Sequence, residues 1–415
     1  MVSETEKAGE KVSALVQRFG STIAPTIVKL IESYYSRIKS FEEMPIKIMN
    51  FCGTHEWTTV RYGIRALVPD GIDLVAGPGC PVCVTPGKII EQIVRLSLEG
   101  VRVYTFGDAF RVPSTSLKSP RNLAEAKAIG ADVRIVYSFY DAVRDSKNDG
   151  RESIFLGIGF ETTAPSYAIP IFEGKVPKNL KLLSVLRLTP PIMRYTIKLY
   201  RERGLLPIRG VIAPGHVSVV TGASVWEFLP REFGIATVVS GFEGIDVLIS
   251  IAEILRMILE RKPGLYVEYR RAVKWDGNPT AKNYVNSVFE EVDAAWRGIG
   301  YVPRSGLMLR DRYRELDAYY QYGLRPPGPE DYVLTSAGRT LEAELPPSCR
   351  CSEVVLGIAK PSQCPMFMKG CRPERPYGPC MVSQEGACYI WAKYGGADLL
   401  GSIKKIKQGG NSLYL

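Results

Sequence analysis

Between Ile46 and Val239 the chain repeats one pattern: a short apolar run rich in Val and Ile, a segment of helical period, then another run. The runs fall at Ile46–Phe51, Ile72–Val75, Val101–Phe106, Val133–Tyr137, Ile154–Ile158, Leu180–Leu186, Gly210–Ile212 and Ile235–Val239, with amphipathic stretches such as Lys88–Leu98 and Ile192–Glu202 between them. Strands covered on both faces need such runs, and a helix between successive strands makes neighbours parallel. The pattern predicts an α/β fold of two Rossmann-like parallel-sheet domains facing a cleft. The polar stretch Asp145–Arg151 reads as a linker, giving a first domain at 1–150, with its N-terminal helix, and a second at 151–264. The helix Ile245–Leu259 stops at Arg261-Lys262-Pro263-Gly264, and beyond it the rhythm disappears. Residues 265–415, ending in a loop-rich stretch, are expected to form a third domain organised partly by a metal centre. Ser13 to about Ser40 reads as helical, broken near Gly20 and Pro25, and as a cover rather than a carrier of chemistry.

Composition narrows the function classes. At 46% hydrophobic and 23% charged residues, the chain of 415 is expected to fold nearly throughout. Its start is charged from Glu4 onward, and no stretch reaches about 18 apolar residues, so a cytoplasmic protein without a membrane segment is expected. The net charge of +10 comes from scattered basic residues, the densest late cluster being Lys404, Lys405 and Lys407. No zinc-finger or RRM-type motif accompanies them, so nucleic-acid binding is not expected.

Cysteine is distributed unevenly. Three of nine lie between Cys52 and Cys83, and the other six crowd between Cys349 and Cys388. Two chemical centres are implied, because clustered thiols in a reducing cytosol more often bind metal or do redox work than staple a fold. The unusual residues all follow strands: CGTHE at Cys52–Glu56, GPGCPVC at Gly77–Cys83, TFGD at Thr105–Asp108, GFETT at Gly159–Thr163, APGH at Ala213–His216 and SGFE at Ser240–Glu243. Ligands of open α/β sheets bind at those carboxyl ends.

In CGTHE, Cys52 and His55 can address one atom above a helix amino end, where a thiolate is favoured; soft sulfur with imidazole suits iron or a similar metal. Cys80 and Cys83 form a C-x-x-C, able to close a disulfide or clamp a metal; a structural zinc shared with Cys52 and His55 is the alternative. Glu161, Glu243 and His216 are candidates to position or protonate a ligand, or else are satisfied loop residues. The six late cysteines lack the paired knuckles of a four-cysteine zinc site, so a 4Fe-4S cluster is expected, with the choice of four ligands left open by spacing.

Together, CGTHE, GPGCPVC, TFGDAFRVP, GFETTAP, APGHVS, SGFEGIDVL and the tail CRC…QCP…GC…SQEGAC resemble the hydrogenase maturation family HypD, over about residues 46–395. The resemblance implies a scaffold, monomeric when alone, that joins a small HypC chaperone and carries iron while it gains two cyanides and a carbon monoxide, the Fe(CN)2CO unit of nickel-iron hydrogenase. Cyanide would come from HypE, and the hydrogenase large subunit would be an indirect partner. It implies iron on Cys52 and His55, thiol-disulfide chemistry at Cys80 and Cys83, and a catalytic role for Glu385, with Glu56 in support. The family pattern C-x12-C-x6-C-x16-C maps onto Cys351, Cys364, Cys371 and Cys388 as cluster ligands, leaving Cys349 and Cys380 as a possible disulfide pair. A different class of function, an iron-sulfur protein-disulfide reductase resembling ferredoxin-thioredoxin reductase, would make Cys80 and Cys83 the whole active centre.

Overall fold

The computed structural model describes residues 23–116, 118–332 and 345–395. All eight expected strands form: β1 (Ile46–Asn50), β2 (Ile72–Ala76), β3 (Arg102–Thr105), β4 (Val133–Ile135), β5 (Ser153–Gly159), β6 (Leu180–Arg187), β7 (Ile208–Pro214) and β8 (Ala236–Ser240). Three more follow where no rhythm was legible: β9 (Leu265–Val267), β10 (Phe289–Trp296) and β11 (Gly300–Leu309). One sheet has the order β2-β1-β7-β8-β9 and is parallel throughout. The other has the order β10-β11-β6-β5-β3-β4, with β3 to β6 parallel and the β10–β11 hairpin antiparallel at one edge.

Two parallel sheets are therefore present, but they do not follow the expected division at residue 150. The chain leaves the first sheet after β2, builds β3 to β6, and returns at β7. The cause is the burial of β1: Ile46, Ile48 and Met49 are buried, so β1 needs a strand on each side, and β7 supplies the second. Asp145–Arg151 is no linker either. It is the last turn of the helix Phe139–Asp149 with its left-handed Gly150 cap, and its carboxylates pair with Arg134 and Arg102. Nor is 265–415 a separate unit, because β9 extends the first sheet and β10–β11 the second. The hairpin escapes a rhythm-based reading because Glu290, Glu291 and Asp293 are exposed, interrupting the apolar run.

Five helices and a C-terminal lobe position the site. Helix α1 (23–38) lays Ile31 and Ile38 on the first sheet. Helices α2 (Gly53–Arg61), α3 (Gly215–Thr221) and α4 (Gly244–Leu259) start within a few residues of the ends of β1, β7 and β8. Their amino ends, and the motif residues between, gather on the carboxyl side of that sheet. The cysteine lobe ends in α5 (Ala387–Tyr394), and its Val354, Val355 and Met381 share a core with Ile154, Leu156, Ile158, Leu183 and Val185 of the second sheet. Thus the lobe closes over the strand ends by borrowing a core. The expected helix from Ser13 to Gly20 and the Lys404–Lys407 cluster lie outside the described residues. No helix among the described residues is long and apolar enough to cross a membrane.

Two loops meet without room to spare. A Cβ on Gly79 would stand 2.4 Å from both the Cys52 nitrogen and the Phe51 carbonyl carbon, whereas one on Gly107 would meet only the Ile135 side chain at 3.8 Å. Gly79→Ala should therefore lose about 1–3 kcal/mol in urea unfolding, and Gly107→Ala no more than about 0.5 kcal/mol.

Candidate functional site

Cys52 is the N-cap residue of α2, in extended conformation at φ −150° and ψ 131°, because β1 runs straight into the helix. Its neighbour loop is clasped to it: Gly53 N–H donates to the Gly79 carbonyl at 3.1 Å and Gly77 N–H to the Asn50 carbonyl at 2.6 Å. This register sets Cys80 and Cys83 beside Cys52. The two form a disulfide, and both sulfur-bearing residues are buried. A small cavity, with room for about one water molecule, is walled by Asn50, Cys52, Glu56, Cys80, Cys83 and Glu385. Glu385 reaches it because α5 begins just beyond, and its loop packs so tightly on α2 that a Cβ on Gly53 would meet the Glu385 carbonyl at 2.4 Å.

Burial disfavours the charged form of each of the titratable groups around Cys52. Burial pushes the Cys52 thiol up to about 12, helped by the Glu385 carboxylate and only partly opposed by the backbone N–H groups of His55 and Thr54. Burial also raises Glu385, against the pull of His216, and lowers His216, against the pull of Glu385 and Glu161. His55 falls to about 4, chiefly by burial. A thiolate here needs a cation, and among the described residues none of the side chains that wall the cavity supplies one.

The two histidines face different groups, and neither is among the residues that wall the cavity. His216, at the start of α3, brings Nδ1 to 3.9 Å from Cys52 Sγ. His55 does not line the cavity; its Nε2 bonds the Gly241 carbonyl at 2.8 Å and its ring stacks on Phe242. A carbonyl accepts only, so Nε2 carries the proton and Nδ1, buried without a partner, keeps its lone pair. Phe242 also contacts the His216 ring, so one aromatic residue stands between both imidazoles.

The acidic candidates divide. Glu56 accepts from Asn50 Nδ2 at 3.1 Å, Trp391 Nε1 at 2.7 Å and Arg65 Nη2 at 2.8 and 3.0 Å, a fully bonded carboxylate. Glu161 accepts from the Thr189 N–H at 2.5 Å and hydroxyl at 2.8 Å, joining the β5 and β6 ends. Glu243 is not brought to the cavity: its side chain is 78% exposed, and it caps α4 in a reciprocal box with Asp246. Arg65 and Trp391 carried no sequence signal, since the indole lies 335 residues from the carboxylate it binds.

Five of the six late cysteines, all but Cys364, pack on one core. The expected Cys349–Cys380 disulfide is absent, both thiols being free. Cys380 instead bonds the sulfurs of Cys351 and Cys388, and Cys349 that of Cys351; these contacts raise Cys349 and Cys380 and lower Cys388 to about 6. Gly378 makes the space: a Cβ there would stand 2.5 Å from Cys349 Sγ and 2.8 Å from Cys351 Sγ. Cys371 faces Cys351 and Cys349, and Cys364 Sγ is 4.0 Å from the Ser348 carbonyl. Among the described residues no three Cys, His, Asp or Glu side chains form a ready metal-holding group.

Two outcomes follow from the buried groups. Iodoacetamide at neutral pH should alkylate Cys52 more slowly than Cys388, whose thiol is lowered to about 6, when modified peptides are mapped over time. For His55, the folded-state value lies below the unfolded one, so its contribution to stability is present above about pH 6.5 and lost as pH falls toward 4. That loss approaches about 3 kcal/mol, and the difference between urea midpoints at about pH 7 and pH 4.5 should shrink in His55→Gln.

Comparison with known proteins bears on this arrangement. The family described as "HypD: Hydrogenase formation hypA family" matches residues 27–395. The hydrogenase maturation factor HypD of Cupriavidus necator is 38% identical over 355 residues, covering 84% of this chain and 89% of that protein. That of Rhodobacter capsulatus is 37% identical over 380 residues, covering 90% and 96%, and that of Escherichia coli K12 34% over 377, covering 89% and 95%.

Proposed function

The chain belongs to the HypD family of hydrogenase maturation factors, and from that membership we propose that it is the platform on which an iron ion gains cyanide and carbon monoxide for nickel-iron hydrogenase. Its partners in this reading are a small HypC-type chaperone and a HypE-type cyanide donor, and it works in the cytoplasm. One observation carries the reading: Cys52, the Cys80–Cys83 disulfide and Glu385 wall a single cavity, with an imidazole behind the Cys52 sulfur.

Iron is the substrate here. Bonds of about 2.3 Å to sulfur and 2.1 Å to nitrogen would set two donors of a tetrahedral ion about 3.6 Å apart, close to the 3.9 Å between Cys52 Sγ and His216 Nδ1. His216 is therefore the nearer imidazole, while His55 holds the Gly241–Phe242 loop against it. Cys52 must release its proton as iron arrives, and Glu385, on the same cavity, is the group placed to take it. Thiolate sulfur then donates the electron density that cyanide and carbon monoxide require of the metal. Opening the disulfide takes two electrons and two protons and would present two further thiols to the same space.

A 4Fe-4S cluster fits the donor chemistry of the C-terminal lobe, which carries six buried or half-buried thiols, two of them against the Gly378 cradle. Cys351, Cys364, Cys371 and Cys388 are the set that would hold it, and when bound it would supply one-electron transfer. The stand-alone reductase has less support, because Cys80 and Cys83 are 4% and 2% exposed and a protein disulfide must reach the attacking sulfur.

Cys52→Ala, purified anaerobically with its chaperone, should lack the infrared bands of bound cyanide and carbon monoxide; bands of normal intensity would remove Cys52 from the iron site. Ser at Cys351, Cys364, Cys371 or Cys388 should abolish bound iron and sulfide. Ser at Cys349 should retain them, and the opposite result for Cys349 and Cys351 would transfer the ligand role to Cys349.

A further inference from the structure

The first sheet has a second opening, at the end opposite the Cys52 site. At the amino ends of β7 and β8 a cavity of about 320 Å³ is lined by Phe41, Glu42, Arg209, Met257, Ile258 and Arg261. Arg209 and Gly234 also line an apolar side lobe of about 80 Å³, walled by Ile197, Leu205, Ile208 and Phe233. Nothing lies within 4 Å of where a Cβ on Gly234 would stand, so no side chain closes the divide there. One water occupies about 30 Å³ of liquid, so the main cavity has room for a small organic guest.

Arg261 is the unusual residue in its wall. Lys262 N–H donates to the Met257 carbonyl and Arg261 N–H to the Ile258 carbonyl, both at 3.0 Å, the paired bonds of a Schellman turn that ends α4. The first residue past the helix in such a turn is left-handed and usually glycine, as at Gly150, Gly234 and Gly395, with φ of 63°, 67° and 72°. Here it is an arginine at φ 52°. A side chain held in that strained conformation invites a functional reading, and what it gains is a place at the open rim of the cavity. Its guanidinium lies 4.7 Å from the centre of the Phe41 ring and has no ion pair among the described residues. Arg209 is half served: Nη2 is bonded to Glu42, whereas Nε is buried without a partner. With the Arg209–Glu42 pair cancelled, the lining keeps one positive charge.

Water alone would serve Arg209 Nε, but it neither balances Arg261 nor covers the apolar surface of Met257, Ile258 and the side lobe. A guest that does all three is an anion with an apolar body. Its charge is single, because Glu42 stands in the wall and opposes a second negative charge. A planar carboxylate matches the guanidinium fork. We propose that this cavity binds a small monocarboxylate, its head on Arg261 and Arg209 and its tail in the side lobe. The site is separate from the iron chemistry proposed above and does not rest on it.

Hexanoate is the probe, titrated calorimetrically into the full-length protein. It should bind at least about tenfold more tightly than hexanamide, which lacks the charge, and than acetate, which lacks the tail. N-acetylleucine, whose carboxylate resembles that of a polypeptide end, is titrated beside it, and the tighter of the two tells a chain terminus from a free acid. Arg261→Gly restores the usual residue of the turn. It should raise the urea midpoint and still weaken hexanoate at least about tenfold, a combination that a purely structural arginine would not give. Failure of hexanoate to bind at millimolar concentration, equal affinity for hexanoate and hexanamide, or unchanged hexanoate binding in Arg261→Gly overturns the proposal.

Discussion

The backbone clasp between the ends of β1 and β2 holds everything else in place. Gly53 N–H to the Gly79 carbonyl and Gly77 N–H to the Asn50 carbonyl extend the parallel ladder past the last strand residues. Two loops that would otherwise diverge are sewn together at the point where each carries its sulfur. A glycine at 79 is what lets the backbones approach so closely. Because the clasp is made of main-chain groups, it is insensitive to the redox state of the side chains it presents. The disulfide can open without dismantling the frame.

Around that frame the molecule keeps charge out. Burial holds Cys52 as a thiol, lowers both imidazoles and raises the Glu385 carboxyl. The formal charges lie just behind, in the Glu56–Arg65 pair sealed by Trp391. Such a site has little attraction for a passing anion, and in this low-dielectric setting a Cys52 thiolate would need a cation beside it. The pair behind also ties α2 to α5, so the helix bearing Cys52 and the lobe bearing the late cysteines move as one.

Much of this was legible in the sequence, for physical reasons that can be named. Buried parallel strands must be apolar at nearly every position, so all eight stood out, and motif residues at their carboxyl ends had to lie on one side of a sheet. What escaped depended on contacts between distant segments. Nothing near Cys52 indicates that its imidazole neighbour is 164 residues away, although the chain has only two histidines and both follow strands. The pairing of β1 with β7 escaped because periodicity identifies strands without ordering them. The polar end of one helix imitated a linker, and Cys349 and Cys380, left over from the family's cluster pattern and so considered as a pair, have other neighbours: Cys380 faces Cys351 and Cys388, not Cys349.

The excursion of the chain between β2 and β7 has a consequence for biogenesis. As the polypeptide leaves the ribosome, β1 and β2 emerge first, yet the strand that covers the other edge of β1 is made more than a hundred residues later. During that interval a hydrophobic ribbon presents unpaired amide and carbonyl groups, the condition under which nascent chains aggregate. The segment made meanwhile, β3 to β6, can form its own parallel ladder at once. Synthesis order therefore favours the second sheet as the earlier folding unit, with β1 and its neighbours the last to be locked in.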